Sequence, residues 1–164
     1  AFVNRNSEPI PMSIEAKLAE LGITLPPPPP KGGVYQPMLV VGDQAHFSGH
    51  VPVLADGSML TGRVGADADL EAGQTAARQV GLCILATAQA TLGSLDRIKR
   101  VVKLFGMVNA TEDFKQHPQV INACSELFQS IWGEDLGVGV RSAVGMGSLP
   151  GNVTVEIEGA FQVE

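Results

Sequence analysis

Cysteine is scarce in this chain of 164 residues, which has only Cys83 and Cys124, each inside an apolar, helix-like pattern. Two thiols so placed are no disulfide framework and suit a reducing compartment, so a cytoplasmic location is expected. Charge is scarce as well, at 17% of residues, yet the apolar share of 45% is far above that of a disordered chain. Positive charge is the scarcer sign. Lys and Arg number 11 against 17 Asp and Glu, a net charge of -6, which argues against a dedicated nucleic-acid binder because such proteins neutralise phosphates with Lys and Arg. No run of 18 apolar residues offers a helical membrane span, and the first residues lack the basic and apolar regions of a signal peptide. The length suits one domain with a real core. So little charge hints at surface hidden by oligomerisation.

Residues 1–33 read as an N-terminal segment and 34–164 as the folded domain. Residues 1–11 have the look of a tag remnant or a misplaced start, because Met12 is followed at once by a helix-capping Ser13. The helix predicted over Ile14–Leu21 stops at Gly22, and Pro26–Pro30 then form a stiff polyproline arm that serves as a spacer. From Tyr35 the pattern predicts a hairpin of two strands, Tyr35–Val41 and Ala45–Val53, about a Gly42-Asp43 turn. A long helix follows over Asp69–Leu92, its inward face rich in Ala and Gly and so expected close to a sheet. A strand at Val101–Val108, a helix at His117–Gly133, and strands at Val138–Met146 and Val153–Val163 complete the order β-β-α-β-α-β-β, with room for one short extra strand near residues 59–64. Two helices cover only one face of such a sheet. The other face is a mixture of small, apolar and ionic side chains, best hidden against further subunits.

Few groupings of reactive side chains survive inspection. His46 and His50 stand four apart on a strand, roughly 13 Å between them, too far to share one metal ion. The glycines of Gly145-Met-Gly147 precede a strand rather than a helix and carry Pro150 where a dinucleotide loop needs glycine, so they form a turn. Ser48 and Ser142 lack a nucleophile elbow. Arg141 and Glu156 are more telling. Each interrupts an apolar strand near the end of the chain, and a short turn would make them hairpin neighbours. One reading is a structural ion pair. The other is an anion clamp, in which the guanidinium fork takes a carboxylate and the glutamate holds or deprotonates a water.

Three segments carry a resemblance. Val140 to Pro150 (VRSAVGMGSLP), followed by Val155 to Glu158 (VEIE), resembles the C-terminal signature of the Rid family, the reactive-intermediate deaminases also called the YjgF family. Phe47 to Pro52 (FSGHVP) resembles that family's Ser-Gly-Gln-hydrophobic-Pro segment, with Tyr35 standing 13 residues before Ser48 as the family's tyrosine does. Val108 to Phe114 (VNATEDF), with Asn122 in the next helix, is the third match. The likeness runs from about Val34 to Val163 and leans toward a longer subgroup labelled endoribonuclease or chorismate-mutase-like. Residues 1–33 have no counterpart in the short members.

The resemblance implies an α+β, chorismate-mutase-like (YjgF-like) fold: a mixed sheet with two helices on one face, assembled into a homotrimer around a central barrel with clefts between subunits. It implies hydrolysis of reactive 2-imino acids or their enamines to 2-keto acids and ammonia, with no cofactor and no metal. By position, Arg141 would grip the substrate carboxylate, Glu156 would position water and Tyr35 would stand in the cleft, where either it or an ordered water would serve as proton donor. Ser48, Gly49, Asn122 and Ala143 would line the cleft, some reaching from a neighbour. There are three departures: Ala143 replaces a common cysteine at a position that acts mainly through its backbone, so only a thiol-dependent role would be lost, while His50 for a usual glutamine and Gly145 for a glutamate found in some members would alter the pocket and the choice of substrate. The expected partners are a small 2-imino or 2-keto carboxylic acid and two further copies of the chain, with neither nucleic acid nor membrane. Competing readings are a non-catalytic trimer that binds small carboxylates, an endoribonuclease, which the acidic balance disfavours, and hydrolysis of a carbamate or cyclic imide.

Overall fold

The computed structural model describes residues 9–164. The expected start-site irregularity at residues 1–11 therefore lies mostly outside the described residues. Ser13 caps α1, Ile14–Glu20, by accepting from the Ala16 N–H at 3.1 Å. The helix is docked rather than free: Leu18 is buried in the main core, and Ile14 N–H donates to Asp96 Oδ1 at 2.7 Å. Strands β1, Met38–Val41, and β2, Gln44–His50, form the expected hairpin, with Val41 opposite Gln44 and Gly42 at φ +61° in the turn.

Helix α2, Leu70–Leu92, is capped by Asp69, whose carboxylate accepts from Ala72 N–H at 2.8 Å. Gly93 ends it at φ +83°, a conformation cheap only for glycine. Strand β3, Ile98–Asn109, leads into α3, His117–Gly137, in which Gly133 breaks the helical path at φ +81° and starts a short final turn. Strands β4, Val140–Met146, and β5, Val155–Val163, follow. The sheet order is β1-β2-β5-β3-β4, with β3–β4 parallel and every other pair antiparallel. The short strand foreseen near residues 59–64 exists only as isolated bridges at Met59, Thr61 and Val64.

Helices α2 and α3 cover one face of this sheet and pack on each other. α2 lies close to the sheet as expected, against β5, β2 and β1, while its glycines Gly73 and Gly81 serve the contact with α3. A Cβ on Gly81 would stand 2.9 Å from Leu127 and 3.2 Å from the Cys124 sulfur, both on α3, and one on Gly73 would meet Val120 of α3 at 3.1 Å. α3 approaches the sheet as well, its Ile121 pressing on Gly106 of β3. Phe128, Phe161, Ile84, Leu85, Ile121 and Ile157 fill the space between the layers, all fully buried. Burial of this kind contributes about 1.5–3 kcal/mol per large side chain and holds the layers together.

The most consequential difference from the sequence pattern concerns the last two strands. They do not pair. Residues 147–154 cross the end of β3, so that β4 lies on one side of it and β5 on the other. Leu149 and Val153 anchor this crossing against Met107. Buried Asn109 fastens it, donating through Nδ2 to Asn152 Oδ1 at 3.0 Å and to Val153 O at 3.2 Å, while its own N–H donates to Thr154 O at 2.9 Å. A turn rich in Gly and Pro reads the same in sequence whether it joins adjacent strands or steps over one.

Candidate functional site

Arg141 and Glu156 are thereby separated, correcting their expected hairpin adjacency. Arg141 is registered with Leu104, on the helix-covered face of β3, and Glu156 with Met107, on the opposite face. Neither makes a salt bridge among the described residues, so the structural ion pair between them does not form within the chain.

Around Arg141 the site is built by α3. Nη1 donates to Asn122 Oδ1 at 2.9 Å and to Ser125 Oγ at 3.0 Å. Three residues apart, these two acceptors share one face of the helix and fix the guanidinium from one side. Asn122 is the expected cleft residue. Ser125 had no signal in the sequence beyond its helical spacing from Asn122. Buried Cys124 lies between them, its thiol pushed up to about 12 by burial and only partly drawn back by the Arg141 charge. Ala143, two residues along β4, is half-buried and packs against the main core, opposite Gly106. Because β4 is an edge strand, this cluster lies at the rim of the sheet.

Tyr35, Ser48, Gly49 and Glu156 are brought together elsewhere, in a cleft of about 690 Å³ at the end of β2. The strand pairing slips between Phe47 and His50, which carries Gly49 beneath the Glu156 side chain. A Cβ on Gly49 would stand 2.8 Å from Glu156 Oε2 and 2.9 Å from its Cδ. Only glycine leaves the carboxylate its place. Burial raises the Glu156 carboxyl above its ordinary value, and the like charge of Glu158 raises it further. Ser48 anchors the wall of the cleft: its hydroxyl donates to Gln36 O at 2.6 Å and its N–H to Pro37 O at 2.9 Å. The Tyr35 oxygen accepts from Gly32 N–H at 2.9 Å, folding the proline arm back so that Pro29 and Pro30 line the same cleft.

His50 sits at the floor. Its Nδ1 lies 2.6 Å from Ser48 O, an acceptor only, so Nδ1 carries the proton. Nε2 then accepts from the Thr87 hydroxyl of α2 at 2.8 Å. Burial holds the ring's pKa below its ordinary value, against the smaller opposing effect of the Ser48 carbonyl. This neutral imidazole therefore braces the backbone of Ser48 and Gly49. It is half a strand away from the exposed His46 and on the other face.

The comparisons with known proteins agree with this architecture. The family model described as YjgF/chorismate mutase-like, putative endoribonuclease, matches residues 15–152. Protein TCP17 of Trypanosoma cruzi is 38% identical over 150 residues, 92% of this chain and 94% of that protein. Among solved structures, protein Atu1372 of Agrobacterium tumefaciens, of unknown function, superposes with a TM-score of 0.83 at 38% identity, covering 93% of this chain and 94% of that one. RidA of Psychrobacter sp. PAMC 21119 gives a TM-score of 0.59 at 25% identity over 82% of this chain and 93% of that one.

Proposed function

The chain belongs to the YjgF/chorismate mutase-like family, and from that premise we propose that it hydrolyses reactive 2-imino acids in a site completed by a second copy of itself. One observation carries the reading. Among the described residues, a partly buried arginine without a carboxylate partner stands at one edge of the sheet, and a partly buried glutamate without a cation lies in a cleft at the other side. Ionic groups withdrawn from water cost several kcal/mol unless a partner or ligand compensates them. A cyclic assembly that sets the β4 edge of one copy against the β2–β5 cleft of the next supplies both with one. Exposed Leu39 and Val41 on β1, and Val138 and Val140 at β4, are the apolar surface such contacts would cover. We take the assembly to be a homotrimer, as the family resemblance implies.

In this site the Arg141 fork, steadied by Asn122 and Ser125, takes the carboxylate of the substrate. The iminium carbon is already electrophilic. Water held by ionised Glu156 adds to it, its oxygen forming the new C–O bond and one proton passing to the carboxylate. The tetrahedral carbinolamine then expels its nitrogen: Glu156 or the Tyr35 phenol protonates the nitrogen, the C–N bond breaks, ammonia leaves, and the hydroxyl gives its proton back to the same group as it becomes the keto oxygen. Tyr35 uses its oxygen to accept from Gly32, which leaves its O–H free to donate. Nothing is oxidised or reduced, so orientation and proton handling are the catalysis required.

The test is the decay of 2-iminobutyrate, generated by a threonine dehydratase, in the presence of an amine trap. The chain should shorten the lifetime of the imine and lower the trapped fraction, and Arg141→Ala should abolish the effect. If wild-type protein leaves decay unchanged while 2-ketobutyrate binds, the site is a carboxylate sensor. Ribonuclease activity finds little support, since a net charge of -6 and a carboxylate-bearing cleft repel a polyanion.

A further inference from the structure

We propose that the proline arm is the specificity wall of the site and selects a bulky apolar side chain on the imino acid. This rests on the reading of the cleft given above and adds the class of substrate. In the single chain the cleft measures about 690 Å³, more room than a three- or four-carbon imino acid fills, before the neighbouring copy closes it. Glu156 lies against Gly49 within it, and the reacting carbon belongs there. Beside the polar Tyr35, Ser48 and His50, the lining has a large apolar share: Pro29 and Pro30 from the arm, Val51 and Val53 beyond β2, Met59, and Pro150.

The wall is built into the fold. Its N-terminal end is fixed by α1, whose Leu18 is buried and whose Ile14 N–H is bonded to Asp96. Ile23 and Leu25 pack against the same core just before the prolines. Its C-terminal end is fixed by the Gly32 N–H bond to Tyr35 and by the Ser48 bonds to Gln36 and Pro37. Between these anchors a run of five prolines needs little ordering, because the polyproline backbone is stiff before it binds anything. Such a segment presents a preformed apolar surface. Met59 faces it from the other side and adapts to different shapes. Lys31 also borders the cleft but is exposed, leaving its ammonium in water.

The experiment measures binding and turnover separately. Calorimetric titration of the full chain with pyruvate, 4-methyl-2-oxopentanoate, phenylpyruvate and 2-oxoglutarate reads selection without chemistry. The two apolar keto acids should bind at least ~10-fold more tightly than pyruvate, the ratio expected from burying two or more methylene-sized groups. The Pro29→Gly, Pro30→Gly double variant and Met59→Ala should each erase most of that ratio. Equal affinities, no binding by any keto acid, or tightest binding of 2-oxoglutarate through Lys31 overturns the specificity wall. Imine decay followed on leucine- and alanine-derived imines answers the other question. Selective binding without accelerated decay keeps the wall and removes the hydrolysis; accelerated decay with unselective binding keeps the hydrolysis and removes the wall.

Discussion

The carboxylate of Glu156 lies across the Cα of Gly49, with Oε2, Cδ and Cγ all within 3.2 Å of where a Cβ would stand. The slip in pairing between Phe47 and His50 creates this approach. Gly49 has no positive φ, so the demand for glycine is one of space alone.

Gly49→Ala should therefore fold and fail. The methyl group displaces the whole end of Glu156, not its tip, by a good fraction of an ångström, and a misplacement of about 1 Å can cost about 100-fold in rate. We expect imine hydrolysis to fall by one to two orders of magnitude, with a loss of Tm of only a few degrees. Because the damage acts through Glu156, combining the change with Glu156→Gln should cost no more than Glu156→Gln alone. Independent, additive losses in this cycle would show that Gly49 serves some other purpose.

Arg141 and Glu156 act together only if they come from different copies. Arg141→Ala and Glu156→Gln should each be inactive by themselves. Unfolded together in equal amounts and refolded, they should regain activity, because roughly a quarter of the sites then combine an intact arginine from one copy with an intact glutamate from the next. Recovery of nothing, at a protein concentration where sedimentation shows mixed oligomers, would place both groups in one chain and defeat the shared site.

His50 predicts a dependence of stability on pH. Its folded pKa lies below the ordinary value near 6.5, chiefly through burial. A basic group depressed on folding stays neutral in the native state while the unfolded chain takes up a proton. Stability is then full above the unfolded pKa and declines as pH drops through about 6.5 toward the folded value. His50→Gln should flatten that decline between about pH 7 and pH 5 in thermal melts. Thr87→Val should destabilise the protein by about 1–3 kcal/mol at neutral pH, since it strands Nε2 without its donor in a buried place.

The periodic parts of this molecule were legible. Ser13 and the predicted helix ranges Asp69–Leu92 and His117–Gly133 are reproduced by the structure within a few residues, because caps and stops are local. The hairpin at Gly42 was legible for the same reason. What could not be read was the path of residues 147–154 over β3, which rests on Asn109, a single buried amide far away in sequence. The error carried over to the site: Arg141 and Glu156 were identifiable as ionic groups in apolar strands, but the face each occupies depends on that crossing. Ser125 and the His50–Thr87 bond were hidden for a related reason, since both join an unremarkable helix position to a strand that only packing brings near. In sequence the arm reads as a spacer, because proline repeats look alike whether they hang in solvent or, as Pro29 and Pro30 do, wall a cleft.

Glu156 gives the pH dependence of catalysis. Burial first, and Glu158 second, raise its carboxyl above the ordinary 4.5. Acting as base, it must be ionised, so the rate should fall as pH drops; burial and Glu158 push its midpoint up, and a neighbour's Arg141 draws it back. Glu158 lies two residues along β5 on the same face, and Glu158→Gln should move this midpoint down, the direction expected when a like charge is removed. Stability runs the opposite way. A carboxyl whose folded pKa exceeds its unfolded value favours folding while protonated, and that advantage is lost as pH rises from the unfolded to the folded pKa. Glu156→Gln should therefore be no less stable than wild type at about pH 8 while losing the acidic limb of any residual rate. A variant that lost stability at neutral pH as well as activity would mean that ionised Glu156 is held by favourable contacts, and the glutamate would then be a structural anchor rather than a base kept under strain for its reaction.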